Sequence, residues 1–299
     1  MKQVSIVVML CLLFVLQATA QTEADSSAIT SGTKKSYVEL SADYISNIVF
    51  AGRKDSVAVP YLRPGIGWFH KSGVYAQGSL SLLTGANENG IDLYTFTGGY
   101  RYSNQQLATG VQFSKYFFAE NSYNVQSAMS GYGLAYFGYN VYDVVSVYAD
   151  AMASFGSSSD FFTGIELSRP FYLAADRLSI TPVFYTFFGT QRYYDAYYSS
   201  RHYGMQGGAG NGNGPGGGTG GPATATTGML VESAAFKLLS LEVSAPVTFA
   251  FNRFTLQFNP VYVFPQSPSS FTENGTVTKE VLENTFYWEL GLRYRFGKE

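Results

Sequence analysis

The stretch that most constrains the fold is FYWELGLRYRF, Phe286 to Phe296. Its even positions, Phe286, Trp288, Leu290, Leu292, Tyr294 and Phe296, are apolar or aromatic. Its odd positions, Tyr287, Glu289, Gly291, Arg293 and Arg295, are mostly polar or small. A period of two sustained over that length describes a strand whose two faces meet different surroundings. Aromatic rings at both ends with leucine between them suit a strand that crosses a bilayer and places rings at its two interfaces.

The same alternation recurs from Tyr37 onward, and it predicts an all-β fold. The expected architecture is a transmembrane antiparallel up-and-down β-barrel of about 12 strands over residues 36–297. Composition agrees. Charged residues make up 13 % of the chain, against about 25 % in an average soluble domain. Aromatics reach 17 %, with 24 Tyr, 24 Phe and 32 Gly. A net charge of −2 carries no electrostatic footprint for nucleic acid.

Lys2, the apolar run Val4 to Val15 and Ala18-Thr19-Ala20 read as a secretory signal peptide over 1–20. Cys11 falls within it, so the mature chain has no disulfide. Residues 21–35 read as a flexible periplasmic lead-in. The connections alternate in length. Short links at Lys71-Ser72-Gly73, Asn104 to Gln106, Tyr142-Asp143, Ala175 to Arg177 and Asn252-Arg253 contrast with longer links between them. Short turns belong on the periplasmic side and long loops outside, which places both termini in the periplasm. The third link, Ala86 to Gly90, reads as one of the longer loops, and a strand is expected from about Val231 to Phe251, with Leu239, Leu241, Val243, Val247 and Phe249 on its outward face against Ser240, Glu242, Ser244 and Thr248. A mobile Gly-rich outer loop is expected over about 192–229, with its glycine tract from Gly204 to Gly221. Tyr193, Tyr194, Tyr197, Tyr198 and Tyr203 precede that tract as candidate interaction residues. They serve either as an aromatic girdle and loop cap or as a stacking surface for sugars or a partner.

On this register the charges pointing into the lumen are Glu39, Asp43, Arg63, Arg101, Asp150, Glu166, Glu242, Glu289, Arg293 and Arg295. Closure of the last strand on the first lets Glu39 and Asp43 face Arg293 and Arg295. One reading is an ion-pair network that fills and staples the interior. The other is a carboxylate-lined passage favouring cations. Catalysis by these carboxylates is not expected, because they come from strands spread around the barrel. His70 ends the second strand, and His202 lies in the loop beside Ser199 and Ser200, where nothing holds a Ser–His pair rigid. Two histidines without cysteine give no metal site. The run GNGNGPGGG lacks the Lys-Ser/Thr of a phosphate loop. No cofactor and no enzymatic activity are expected.

The segment ELGLRYRF is similar to the C-terminal assembly signal of outer-membrane barrels, matched here by Glu289, Gly291, Leu292, Tyr294 and Phe296. It departs from that pattern because Gly297-Lys298-Glu299 follow the last aromatic. The aromatic-rich style and these trailing residues resemble barrels of Bacteroidota. DYISNIVFAG followed by HKSGVYAQG, spanning Asp43 to Gly78, resembles the opening hairpins of a broad family of uncharacterised bacterial outer-membrane barrels. The resemblance implies recognition by the barrel-assembly machinery and a shell of outer-membrane lipid. The function expected is a small channel or passive transport barrel for ions or small solutes. The alternative is a closed structural or surface-interaction barrel. A more distant alternative is a lipid-modifying enzyme.

Overall fold

The computed structural model describes residues 35–55, 58–85, 88–120, 122–197, 229–231, 233–273 and 276–297. The expected signal peptide, nearly all of the lead-in, the glycine tract, Tyr198, Ser199, Ser200, His202 and Tyr203 lie outside the described residues. The alternating segments form β1 (Tyr37–Ile45), β2 (Tyr61–Phe69), β3 (Val74–Gly85), β4 (Glu88–Ser103), β5 (Leu107–Phe118), β6 (Met129–Val141), β7 (Val145–Gly156) and β8 (Phe161–Ser168). They continue as β9 (Phe171–Leu173), β10 (Leu178–Ile180), β11 (Val183–Gly189), β12 (Met229–Val231), β13 (Lys237–Ser244), β14 (Val247–Phe251), β15 (Phe254–Pro265), β16 (Ser270–Glu273), β17 (Thr276–Lys279) and β18 (Thr285–Phe296).

Antiparallel neighbours follow chain order from β1 to β8, then run through β11, β13, β15 and β18. β18 closes on β1, with Glu39 opposite Arg295 and Asp43 opposite Gly291. β9, β10 and β14 prolong β8, β11 and β13 toward one end. The result is a closed antiparallel barrel of 12 staves with short turns at one end and the longer connections at the other. Closure leaves no sheet edge, which in hydrocarbon would strand unpaired N–H and C=O groups.

Three staves are interrupted where prolines fall: Pro170, Pro182 and Pro246. Pro260 on β15 continues the same line, since Val247 opposes Phe258 and Ser244 opposes Val261. Arg169 N–H donates to the Pro182 carbonyl at 3.4 Å, Thr181 to Pro246 at 2.9 Å and Ala245 to Pro260 at 3.4 Å. The reciprocal bonds cannot form, because a proline nitrogen carries no hydrogen.

The outward face is an apolar belt. Ile66, Phe96, Val111 and Phe113 are each more than half exposed. In water they would form an apolar patch far beyond what a soluble surface carries. Tyr100, Tyr102, Tyr139 and Phe254 ring the short-turn end, while Phe117, Phe161 and Phe286 ring the loop end. Two charges interrupt the belt. The Lys115 ammonium lies 5.5 Å from the Phe117 ring and 5.8 Å from that of Phe155, and the Arg169 guanidinium 5.2 Å from Phe171. Both lie nearer a rim than the middle, where long side chains reach the interface.

The structure departs from the sequence reading in three places. β3 and β4 extend to Gly85 and Glu88, so the third link is a continued hairpin and not a long loop. Leu239, expected to face outward, is fully buried inside the barrel. A bulge between Phe187 and Phe188 inserts it as an extra residue, and one extra residue turns a side chain to the other face. The strand expected from Val231 begins only at Lys237, while β12 pairs with β16 in a separate three-stranded sheet beyond the barrel.

Candidate functional site

The inward faces of β18, β1 and β2 carry an ion-pair network. Arg295 Nε meets Glu39 Oε2 at 2.7 Å. Arg293 lies 3.8 Å from Glu39 and 3.6 Å from Asp43, and donates to Gln257 Oε1 at 3.0 Å. Arg63 lies 3.7 Å from Asp43 on its other side. Gly291 makes this possible, because any Cβ there would occupy the place of the Asp43 carboxylate. Nearer the short-turn end, Arg101 donates to the Tyr37 hydroxyl at 2.7 Å and lies 4.7 Å from the Phe69 ring, which stacks on Tyr37.

Beside this network lies an interior space of about 80 Å³. Ser41, Gly65, Gly67, Ser79, Thr95 and Thr97 line it, and their small side chains are why it exists. Of the charges assigned to the lumen, Glu39, Asp43 and Arg63 border this space.

The opposite wall is built differently. A ladder row runs Tyr148, Glu166, Tyr185, Glu242 across four neighbouring staves. The Tyr185 hydroxyl donates to Asp150 Oδ2 at 3.0 Å, and the Ser240 hydroxyl to Glu242 Oε1 at 2.9 Å. Tyr185 reaches Asp150 by lying flat across Gly164, where a Cβ would overlap its ring and hydroxyl. Tyr148 lies across Gly138 in the same way. The staves carrying Asp150, Glu166 and Glu242 bring no inward lysine or arginine to that height. Glu289, on β18, opposes Asn259 on β15 and Ile45 on β1.

The loop end is closed by an apolar cap. The chain leaves β1 through residues 46–55 and turns back on itself, with Phe50 bridged to Arg53. The Phe50 ring meets Phe162, Phe187 and Tyr193 edge-on at 5.4, 5.6 and 5.2 Å. Tyr193 sits on a short helix over residues 192–197. Asp160 fixes the start of that helix, accepting the N–H groups of Arg192 and Tyr193 at 2.8 and 2.7 Å. Val125 and Leu239 complete the cluster from neighbouring elements.

Arg53 is 1 % exposed in its side chain, pairs with Glu280 at 3.1 Å and donates to the Ser267 carbonyl at 2.9 Å. Tyr197 donates to the Asp55 carboxylate and, at 3.2 Å, to the Tyr123 carbonyl. Burial pushes the Tyr193 and Tyr194 hydroxyls well above the usual tyrosine range, so both stay neutral.

Several predicted residues therefore have placements that alternation could not give. Tyr193, Tyr194 and Tyr197 are buried in the cap, so these three present no stacking surface to a partner. Residues 192–197, the first of those expected to form a mobile loop, are a helix held by Asp160 and by ring contacts with Phe50; the rest of that expected loop up to 228 lies outside the described residues. Gly291, Leu292, Tyr294 and Phe296 lie along β18, with Leu292 and Phe296 on the belt. His70 sits in an exposed turn, its Nδ1 2.8 Å from Ser72 Oγ. Among the described residues no cluster of His, Cys, Asp or Glu could hold a metal ion, and no helix is long and apolar enough to cross a membrane. The sequence reading missed Phe50, Arg53 and Asp160. The available signal was the apolar run Ile48-Val49-Phe50-Ala51, which is out of place in a polar loop.

No family model matches the chain. No curated protein matches it. Solved structures similar to it include the KdgM porin, at 9 % identity and a TM-score of 0.45 over 87 % of this chain and 99 % of that one. The NanC porin is similar at 8 % identity and a TM-score of 0.46 over 87 % and 100 %. An anion-selective porin from Comamonas acidovorans is similar at 9 % identity and a TM-score of 0.34 over 87 % and 98 %. At these identities no residue role passes from them to this chain.

Proposed function

We propose that the protein is a passive outer-membrane channel for small polar solutes and cations, closed at its outer mouth in the conformation described. The apolar belt with its two aromatic girdles supports placement in a bilayer. The loop end is then the outer face and both ends of the barrel domain lie on the periplasmic side. The observation that carries the channel reading is the interior space bordered by Ser41, Ser79, Thr95 and Thr97. A barrel built only for rigidity fills such positions with bulky side chains. The inward carboxylates Glu39, Asp43, Asp150, Glu166, Glu242 and Glu289 outnumber the inward arginines Arg63, Arg101, Arg293 and Arg295, which favours cations. The carboxylate-rich wall and the hydroxyl-lined space then act together.

One observation favours a sealed structural barrel, and it is the cap over Phe50. Planar-bilayer recording separates the two. The native protein is expected to give small, cation-preferring currents with frequent closures. Phe50→Ser, which loosens the cap at a residue outside the staves, is expected to raise the open fraction. Folded samples of both that pass no current would overturn the channel reading.

A further inference from the structure

The interior space carries a row of hydroxyls that the protein itself does not use. Ser41, Gly65, Ser79, Thr95 and Tyr116 stand opposite one another across β1 to β5, and all of them border the space. Gly65 keeps the row open, since a Cβ there would lie 2.8 Å from Ser41 Oγ. Two further polar side chains border the space from the loop side, Ser81 at 2 % exposed and Gln126 at 4 %. Among the described residues, the side chains of Ser41, Ser79, Ser81, Thr95 and Gln126 have no hydrogen-bond partner. Their neighbours are committed. Thr97 and Ser114 share a hydrogen bond at 2.9 Å, and Gln112 accepts from Tyr75 at 2.8 Å and donates to Tyr132 at 2.6 Å. Native structures leave few buried polar groups unpaired. Such a group around one interior space is satisfied by water or by a solute that takes the place of water.

We infer that this row is a binding site for a small neutral polyol, the size of glycerol or erythritol. A hydroxyl both donates and accepts, and a primary amide does the same through its two ends. A cation would use only the acceptors of this set and an anion only the donors. The fixed charges two residues along the same strands, Asp43 and Arg63, oppose each other at 3.7 Å and offset one another. The solute that uses every group is uncharged and carries hydroxyls on adjacent carbons. Residues opposed on neighbouring strands hold their Cβ atoms about 5 Å apart, so Ser79 and Thr95 can each take one hydroxyl of an adjacent pair. The Tyr116 ring, 5.8 Å from that of Tyr132, ends the row and offers the carbon chain an apolar face. The space measures about 80 Å³. A water needs about 10–15 Å³ on this scale, so the space has room for roughly six waters or for one such polyol. The site rests on the channel reading for its route of entry and names the solute class that this route carries.

Two measurements test it. The first needs no transport: saturation-transfer NMR of erythritol with the detergent-folded protein. The native protein is expected to transfer saturation to erythritol, and excess glycerol to suppress the signal. Butane-1,4-diol, which has the same carbon chain without adjacent hydroxyls, should compete about tenfold less well. Thr95→Val, which keeps shape, and Ser79→Ala should each weaken erythritol binding about fivefold, the loss of roughly one hydrogen bond. The double variant should abolish it.

The second is the swelling of vesicles carrying the protein in isosmotic erythritol. The native protein is expected to speed swelling over empty vesicles, and the double variant to slow it. No erythritol signal from the folded native protein overturns the site, because the space then holds water only. A signal that survives the folded double variant overturns it too, and so does equal competition by butane-1,4-diol. Binding without swelling leaves the site standing and rejects the channel. Swelling without binding leaves the channel standing and overturns the site.

Discussion

The two walls of the lumen solve one problem in opposite ways. On β18, β1 and β2, the inward carboxylates Glu39 and Asp43 are held by Arg63, Arg293 and Arg295. On β7, β8 and β13, Asp150 and Glu242 take hydroxyl donors from Tyr185 and Ser240, and phenol rings fill the space over bare glycines. The arginine wall leaves room beside it, because long side chains fold along the surface toward their partners. The tyrosine wall leaves little, because each ring lies across its neighbour's backbone. Charge pairing therefore goes with the open side of the barrel and ring packing with the filled side.

Each wall has a residue whose loss should expose its mode of support. The largest effect is expected at Gly164→Leu. The added side chain occupies the place of the Tyr185 ring, and overpacking of this kind costs about 3 kcal/mol. Urea unfolding from lipid vesicles, followed by the fluorescence of the belt residues Trp68 and Trp288, reads it. Arg293→Met should cost about 2 kcal/mol, below the full penalty for breaking a buried pair, because Glu39 keeps Arg295 and Asp43 keeps Arg63. The same unfolding measurement applies, and a loss near zero would show that the arginine wall is screened by water. The smallest effect is expected for Tyr185→Phe, which deletes one hydrogen bond to Asp150 and keeps the ring, at about 1 kcal/mol. If Tyr185→Phe proved costlier than Gly164→Leu, the hydroxyl and not the ring would be the support of that wall.

The arginine wall could be read from the sequence. Alternation put Glu39, Asp43, Arg293 and Arg295 on one face, and closure of the last stave on the first brought them together. The tyrosine wall could not. Tyr185 over Gly164 and Tyr148 over Gly138 are diagonal contacts between staves, and they depend on register offsets that a single strand does not encode. The cap was hidden for another reason. Arg53-Lys54-Asp55 looks like solvated loop, yet Arg53 is buried against Glu280, more than two hundred residues away in the chain. Leu239 fell on the wrong face because one inserted residue reverses alternation, and nothing local in the sequence marks the insertion.

The prolines across β8, β11, β13 and β15 bear on how this wall deforms. Each leaves a carbonyl on the adjoining stave, those of Arg169, Thr181 and Ala245, facing a nitrogen with nothing to give. A hydrocarbon surround would supply no replacement donor, so the wall is perforated along that line, whereas elsewhere the ladders break only singly, at Pro64 between β2 and β3 and at two bulges. Strain from any change in the barrel's girth will gather there first. The perforation crosses the staves of Glu166, Glu242 and Asn259, so that side of the lumen gives way before the arginine side, where the ladder breaks only at Pro64.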